Sequence, residues 1–355
     1  MTNASSTLIG DGIENPHNAL AMMQIAAALS AVCVFLDRKR LQQTVQEAYP
    51  DTDPLACIDP RMLAETYRPI IACDTMPDAV DLFGCSAAPG TRPAVVMGNE
   101  RLGLTHAVQA MAQQRVRIPM AARGIGSLNV AAAAAVALYF LGRGSGPMQV
   151  RRDPAARRPD LLLLSPHDHA ELGCAIRSAA AFGWGRLLVE DRAGVWFGAD
   201  RRLRSEGRAA ARQSKNSIVL LAVTPERRYA YDEAVVVRAT PGPGSIPLHR
   251  TNLARGGRQV IVVPDESAVD LQTEEWARLS RTVRCAHLGL TGQTTALRYR
   301  ALATIAMAEV ARQVGRASTG TRSGTVRGPR YDRALDLIHA PCVGEEVAFA
   351  DLLAY

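Results

Sequence analysis

The residues best suited to chemistry in this chain follow a short apolar segment at residues 95–97. Gly98, Glu100 and Gly103 are spaced as Gly-x-Glu-x-x-Gly, and Leu104 comes directly after them. A glycine at the end of a strand lets a ligand approach the backbone closely. Because α/β sheets bind ligands at the carboxyl ends of parallel strands, this spacing predicts a binding turn.

Two further motifs follow this turn along the chain. Ile-Pro-Met occupies residues 118–120, and Ser-Leu-Asn occupies residues 127–129 at the start of an alanine-rich stretch. The isoleucine and methionine can wall an adenine ring, and the serine and asparagine can supply hydrogen bonds at a helix start. The three motifs together predict one binding site.

In this order, the three motifs resemble those of the TrmH (SpoU) family of SPOUT methyltransferases. The resemblance implies an S-adenosylmethionine-dependent enzyme that methylates the ribose 2′-hydroxyl of RNA. It also implies a trefoil knot, which the physics of the sequence does not itself suggest, and homodimers whose active sites lie at the subunit interface. The cofactor-binding residues that the resemblance implies are Ala72, Met97, Gly98, Ile118, Met120, Ser127 and Leu128.

The family's remaining motif, Asn-x-Gly-x-x-x-Arg, is divided between the two halves of the chain. The first half has the asparagine, Asn18, but Gln24 stands where the arginine is expected. The second half has the arginine, Arg177, but Glu171 stands where the asparagine is expected. A register with a three-residue insertion would instead pair Asp168 with Asn18. In either register the second half has no asparagine at this position.

Apolar runs alternate with alanine-rich helices and predict an α/β fold with parallel sheets. Each half opens as strand, helix, strand, and each half closes on a helix, at residues 127–143 and 296–312, which align without a gap. We interpret this as an internal duplication, with two α/β-knot domains packed as a pseudo-dimer within one chain. The other predicted elements are strands at 8–10, 31–36, 92–98, 160–165, 185–190 and 260–263 and helices at 19–30 and 171–182.

The composition along the chain predicts the domain boundaries. Residues 1–145 are the first predicted domain, and residues 146–159 are an exposed linker rich in glycine, proline and arginine. Residues 160–316 are the second predicted domain. Residues 317–355 are a tail whose role the sequence does not indicate.

The second half lacks the cofactor motifs. Pro264 stands where the first glycine of the turn is expected, and Arg298 stands where the asparagine of Ser-Leu-Asn is expected. The proline removes an amide donor, and the arginine places a cation near the expected position of the cationic sulfonium. We therefore expect the second half not to bind the cofactor.

Because these losses are complementary, we expect one active site, with the cofactor on the first half and an arginine from the second. A guanidinium stays protonated, so this arginine is expected to hold the adjacent phosphate and stabilise the developing alkoxide. Glu100 is either a helper base or a structural residue. The alternative is that both halves have decayed and that the arginine is a surface residue. The catalytic candidates are Arg177, Asn18, Glu100 and Asn129.

The net charge of +7 favours a polyanionic partner, and the expected substrate is tRNA or rRNA. Aromatic residues make up only 5% of the chain, which argues against an extended stacking platform for single strands. One group of arginines is interpreted either as a phosphate-binding surface or as a solvated helix face. Its members are Arg201, Arg202, Arg204, Arg208 and Arg212.

We expect a cytoplasmic monomer without a membrane segment or a metal. The N-terminus is polar and does not resemble a signal peptide, and the seven cysteines form no Cys-x-x-Cys pair. His167 and His169 supply only two ligands on one turn, so no metal is expected there. Two rival functions remain, namely a non-catalytic RNA-binding protein of the same fold and a methyltransferase that acts on a base or on a substrate other than RNA.

Overall fold

A computed structural model describes most of both halves of the chain. The described residues are 6–37, 40–76, 78–85, 91, 93–121, 127–142, 158–197, 218–223, 231–254, 258–266, 279–290 and 296–314. The predicted linker up to residue 157, the arginines at 201–212 and the tail at 317–355 lie outside the described residues.

The first half contains a sheet of six parallel strands in the order β2-β1-β5-β3-β6-β4. The central strands are apolar and buried along almost their whole length, as in sheets covered on both faces. The strands are β1 (Thr7–Asp11), β2 (Val32–Leu36), β3 (Ile70–Cys73), β4 (Val80–Asp81), β5 (Ala94–Gly98) and β6 (Gln114–Arg117).

Among the described residues, five α-helices accompany this sheet, and two of them begin at residues other than those predicted. They are α1 (Pro16–Ala28), α2 (Leu41–Ala48), α3 (Leu63–Thr66), α4 (His106–Met111) and α5 (Val130–Gly142). The first begins before residue 19, because the Asn15 side chain accepts a hydrogen bond from the His17 amide and Pro16 fits the first turn. The fifth begins after residue 127, because Asn129 occupies the capping position.

The second half contains a sheet of seven parallel strands in the order β11-β13-β10-β12-β7-β8-β9. The strands are β7 (Asp160–Leu164), β8 (Arg186–Glu190), β9 (Val219–Ala222), β10 (Tyr231–Arg238), β11 (Ile246–Pro247), β12 (Gln259–Pro264) and β13 (Ser280–His287). Two described α-helices belong to this half, α6 (His169–Ala181) and α7 (Tyr299–Val314).

The two sheets share one strand order. If β9 is left out, the second sheet reads β8-β7-β12-β10-β13-β11, and these strands correspond in turn to β2-β1-β5-β3-β6-β4 of the first. Their openings also share one local geometry. β1 and β7 each have five residues and end before a residue with positive φ, Gly12 at 67° and Ser165 at 50°. A capped helix of thirteen residues follows in both, after Asn15 and Asp168. This spacing pairs Asn18 with Glu171 and rules out the three-residue insertion.

The chain divides into two compact units that do not follow the chain order strictly. The first unit is Met1–Pro119, Asn129–Pro147 and Gly292–Ala301, and the second is Met120–Leu128, Met148–Thr291 and Leu302–Tyr355. Each unit therefore includes a short segment that the chain order would assign to the other. The predicted boundaries at residues 145 and 160 do not separate these short segments.

Within the described parts of the chain, no helix combines the length and the apolar character needed to cross a membrane.

Candidate active site

The turn after β5 closes on itself through Asn99. The Asn99 and Gly103 backbones exchange two hydrogen bonds of 2.9 Å, and Gly103 has a positive φ of 70°. The Asn99 side chain accepts hydrogen bonds from the amides of Arg101 and Leu102, both at 2.9 Å. Its amide nitrogen donates to the Gly12 carbonyl at 2.7 Å, which fixes the turn against the end of β1.

The geometry of this turn itself requires a glycine at residue 98. A Cβ at residue 98 would lie 2.3 Å from the Gly103 carbonyl carbon and 2.4 Å from the Leu104 nitrogen. Both are backbone atoms of the same turn and cannot move aside. The close approach of the chain itself is thus a reason for this glycine in addition to the predicted approach of a ligand.

Three of the predicted catalytic residues form one hydrogen-bonded chain in the first unit. The Asn129 side chain donates to Asn18 at 2.9 Å, and Asn18 donates to a carboxylate oxygen of Glu100 at 2.8 Å. Asn129 also caps α5 by accepting from the amides of Ala131 and Ala132 at 3.0 and 3.3 Å. Asn18 and Asn129 are buried. These contacts tie α1, the turn after β5 and the start of α5 together.

The predicted cofactor residues lie at the carboxyl ends of neighbouring strands and before α5. Ala72 and Met97 are buried in β3 and β5, and Ile118 directly follows β6. These residues and Gly98 belong to the first unit, whereas Met120, Ser127 and Leu128 belong to the second.

Arg177 contacts the serine of the Ser-Leu-Asn motif within the second unit. Its Nη2 donates to the Ser127 hydroxyl oxygen at 2.7 Å, and its Nε donates to the Ser127 carbonyl at 3.3 Å. The residue is only 6% exposed, so it is not the surface arginine of the alternative interpretation. Arg177 comes from α6, and Ser127 comes from the segment of the first half that packs with it.

The first unit contains an equivalent contact in which the arginine and its hydrogen-bond acceptor have exchanged positions. Gln24 holds on α1 the position that Arg177 holds on α6, and it accepts a hydrogen bond from the Arg298 guanidinium. Arg298 stands where Asn129 stands before α5, since α5 and α7 begin one residue later, at Val130 and Tyr299. The arginine is therefore on the helix in one contact and on the segment before the closing helix in the other.

The corresponding edge of the second sheet carries different side chains. The ladders place Pro264 opposite Leu164, as they place Gly98 opposite Asp11. Asp265 then follows β12 where Asn99 follows β5, and its carboxylate lies 2.5 Å from Nδ1 of His167. Sequence reasoning missed this pair. Its signal was a histidine and an aspartate that each closely follow an apolar strand.

The cysteine next to the predicted cofactor residue Ala72 is not a reactive thiol. Burial, with a smaller contribution from Asp74, raises the pKa of Cys73 to about 12, so this cysteine beside Ala72 is a thiol at neutral pH. Among the residues that the structure describes, no group of three or more His, Cys, Asp or Glu side chains is placed to hold a metal.

The residues of the first turn fit S-adenosylmethionine, and those of the second do not. Gly98 is partly exposed, and none of the predicted cofactor residues of the first unit carries a positive charge that would repel a sulfonium. The Asp74 carboxylate borders Gly103. At the second turn, Pro264 has no amide proton to donate.

Residues 5–139 match the SpoU rRNA Methylase family. No curated protein sequence matches the chain. One similar structure is the A. aeolicus TrmH/SpoU tRNA modifying enzyme, at 19% identity and a TM-score of 0.33, over 40% of this chain and 75% of that one.

Two further structures are similar to the chain over the same fraction of its length. The SpoU methyltransferase AviRb from Streptomyces viridochromogenes, in complex with AdoMet, is 22% identical with a TM-score of 0.31, over 39% of this chain and 57% of that one. A protein described for the 2-OH methylation of C/U34 on tRNA is 24% identical with a TM-score of 0.32, over 40% of this chain and 97% of that one.

The parallel sheet, the turn at Gly98 and the family match define an α/β methyltransferase domain in the first half. Residues 5–139 are a domain of the SpoU methyltransferase type. The second parallel sheet lies outside the residues that match this family.

Proposed function

We propose that this chain is an S-adenosylmethionine-dependent RNA methyltransferase that modifies the ribose 2′-hydroxyl at one site per chain. The first-half motifs hold the cofactor, and Arg177 completes the site from the second half. The observation that carries the proposal is the 2.7 Å hydrogen bond from Arg177 to Ser127. It joins the arginine that the first half lacks to the serine that the second half lacks.

We also propose that the halves are diverged copies of one knotted domain that act as a pseudo-dimer. The shared strand order and the two exchanged segments support this. A fused pair can provide within one chain the interface that a homodimer provides between chains. The protein is then a monomer in solution, with a mass near 38.1 kDa by light scattering. A mass near twice that value would contradict the pseudo-dimer.

The residues of the chain have separate tasks in this proposal. When bound, S-adenosylmethionine supplies an electrophilic methyl group. The Arg177 guanidinium remains charged, binds a phosphate next to the target ribose and stabilises the alkoxide that develops as the 2′-hydroxyl loses its proton. Glu100 is a positioning residue, because its carboxylate is already bound by Asn18 and helps to hold α1.

The proposed substrate is tRNA or rRNA. The net charge of +7 supports a polyanionic substrate, and low aromatic content favours recognition through phosphates and shape. The arginines at 201–212 remain candidates for this contact.

The first test is calorimetric titration of the chain with S-adenosylmethionine. We expect one site per chain, lost in Met120→Arg and kept in the matched variant Leu290→Arg, since the ladders give both residues the same position after β6 and β13. Two sites per chain, or equal losses in both variants, would contradict a single cofactor site. Gly98→Pro is a poor test, because it would disrupt the turn itself.

The second test identifies the methylated atom. Total tRNA and rRNA are incubated with the enzyme and methyl-labelled cofactor, digested to nucleosides and separated. Label in 2′-O-methylnucleosides supports the proposal, whereas label in a base supports the base-modifying rival.

A non-catalytic RNA-binding function is the second candidate. The observation that favours it is Gln24, which leaves the first half without its own arginine. Binding of RNA without any binding of S-adenosylmethionine would support it over methyl transfer.

A further inference from the structure

The amino ends of the strands in the second unit carry a row of exposed arginines. Arg158 comes shortly before β7, Arg258 comes directly before β12, and Arg186 and Arg281 lie within the first two residues of β8 and β13. All four residues are exposed. They are far apart in the chain, and only the strand order of the parallel sheet brings them to one edge. This edge is the opposite one from the carboxyl ends, where α/β sheets bind small ligands.

The register of the sheet makes this row continuous. The strands concerned are neighbours in the order β13-β10-β12-β7-β8. The ladder between β12 and β7 brings Arg258 next to Arg158, and the ladder between β10 and β13 brings Arg281 next to Asp232. Because neighbouring strands lie about 4.8 Å apart, the four steps from β13 to β8 cover about 19 Å.

Two aromatic rings hold two of these guanidinium groups at the edge. The Arg158 guanidinium lies 5.0 Å from the centroid of the Trp184 ring, and that of Arg258 lies 6.0 Å from the centroid of the Tyr231 ring. Both rings are buried, so they are not available to stack on a base. A guanidinium that lies over a ring is oriented by it and has five N–H donors, of which Arg158 uses one on the Gly183 carbonyl.

Two carboxylates accompany the four arginines and do not cancel their charge. Asp160 accepts from Nη2 of Arg186 at 3.1 and 3.3 Å and from the Tyr231 hydroxyl at 2.7 Å. Asp232 accepts from the backbone amide of Arg258 at 3.2 Å. The Arg186 side chain is 65% exposed, and an exposed ion pair of this kind contributes little to stability. Four arginines against these two aspartates leave a positive edge.

The first sheet has an apolar side chain at one of the corresponding positions. β1 and β2 pair as β7 and β8 do, so Val32 opens β2 where Arg186 opens β8, and Thr7 opens β1 where Asp160 opens β7. Val32 is exposed as well. The shared fold therefore does not require a charged residue at this position, which favours a binding role for the arginine.

The chemistry of this edge matches the phosphates of a helical nucleic acid. The planar guanidinium group fits phosphate oxygens and pairs with them through two parallel hydrogen bonds. Single strands are bound mainly by stacking of their bases on exposed aromatic rings, whereas helical RNA is recognised through its phosphates and its shape. A row of arginines with buried rings therefore fits the backbone of an RNA stem better than a single strand.

We propose that Arg158, Arg186, Arg258 and Arg281 form a docking edge for the phosphate backbone of a double-helical RNA stem. The inference rests on the proposed function only in that its ligand is RNA, and it requires neither the cofactor nor methyl transfer. The docking edge contacts phosphates and reads no bases, so stems of equal length and different sequence bind equally.

The test is fluorescence anisotropy of the full chain with a labelled RNA hairpin, without S-adenosylmethionine, over a range of salt concentrations. A combined variant carries Arg186→Gln, Arg258→Gln and Arg281→Gln. We expect it to bind the hairpin at least tenfold more weakly at low salt. The slope of the logarithm of the association constant against the logarithm of the salt concentration should become shallower by about 2–3, because each lost phosphate contact changes it by about one.

A matched control separates the docking edge from the net charge. It carries Arg61→Gln, Arg68→Gln and Arg250→Gln, which remove the same number of charges from other exposed positions and should leave the slope unchanged. Arg281→Gln alone alters one exposed side chain, so we expect an unchanged Tm and a slope shallower by about one. This single variant tests the inference even if the combined variant is unstable.

Three outcomes would overturn the inference. Equal losses in the combined variant and its control would mean that only the net charge matters. An equal effect on an unstructured single strand of the same length would contradict binding of a stem. Unchanged hairpin affinity would leave an acidic protein surface as the partner of this edge. Absence of methyl transfer in a native chain that still shows the effect of the docking edge would contradict the proposed function and leave this inference intact.

Discussion

The two parallel sheets of this protein share one strand order but differ at the ends of their strands. In the first, Gly12 and Asn99 build a closed turn beside β1 and β5. In the second, Ser165 and Asp265 stand at the same positions, and the aspartate binds His167 instead. The sheets therefore conserve what packing requires, while the strand ends carry different chemistry, which is where function is expected to diverge.

Two short segments, residues 120–128 and 292–301, each belong to the unit that the other half mainly forms. Their contacts also differ between the two units. Arg177 donates to Ser127 in one, and Arg298 donates to Gln24 in the other. An arginine at residue 24 would face Arg298 with like charge. The loss of the arginine in the first half is thus compatible with a specific local partner rather than with general decay.

The largest expected effect is on catalysis and comes from making α6 resemble α1. Arg177→Gln is expected to lower methyl transfer by about 10²–10³-fold, because it removes the charge that stabilises the alkoxide. Binding of S-adenosylmethionine should change little, as measured by calorimetry.

Gln24→Ala is the matched control and should leave the methyl-transfer rate nearly unchanged. Equal losses in the two variants, or full activity in Arg177→Gln, would break the proposed division of labour between the halves.

The next largest effect concerns the turn that only the first sheet builds around Gly98. Gly98→Ala should destabilise the first unit by about 1–3 kcal/mol, because the new methyl group meets backbone atoms that cannot move. The unfolding measured by circular dichroism should then gain an early phase. Tryptophan fluorescence should not follow it, since Trp184, Trp196 and Trp276 all lie in the second half.

Gly84→Ala provides the control, because a Cβ at residue 84 meets nothing within 4 Å. A similar loss in both variants would mean that glycine substitution itself, and not the close approach, is responsible.

A smaller effect is expected from Asn129, which the second half replaces with Arg298. Asn129→Ala should cost about 1 kcal/mol for the lost helix cap, and more if Asn18 is left without a partner. Asn129→Ser keeps a capping oxygen and should therefore restore most of the free energy of unfolding that is lost with the cap. Urea unfolding followed by circular dichroism measures both variants. Equal losses would mean that the bond to Asn18, and not the cap, carries the effect.

The apolar patterns of the sequence predicted most strands, because buried parallel strands are continuous apolar runs. They failed at helix starts. The predicted helix begins at residue 19, whereas α1 begins at Pro16, and Asn15 and Pro16 are both typical of a helix start. These capping residues, rather than the apolar pattern, mark the start of this helix.

The site residues also fall into those that the sequence predicts to lie together and those that only the fold brings together. The grouping of Asn18, Glu100 and Asn129 followed from a family resemblance, and the structure places them in one hydrogen-bonded chain. The pairing of His167 with Asp265 did not follow, because 98 positions separate them and only the strand order brings their strands together. The close approach of the chain to Gly98 also depends on the folded turn, which brings the backbone of Gly103 and Leu104 next to it.

The smallest expected effect is a pH dependence confined to the second unit. In the first sheet, Arg117 at the end of β6 forms an ion pair with Asp81 at 2.9 Å. In the second sheet, His287 and Pro247 hold these two positions. Burial lowers the pKa of His287, and its Nδ1 has no partner among the described residues.

The unfolded state therefore binds the His287 proton more readily than the folded state does. Stability is fully present above the unfolded pKa of about 6.5 and falls as the pH is lowered through the folded value. The urea midpoint followed by tryptophan fluorescence should decrease slightly between neutral pH and pH near 5, and His287→Gln should reduce that decrease. If the variant shows the same slope as the native chain, other groups set the pH dependence, and this position does not distinguish the two sheets.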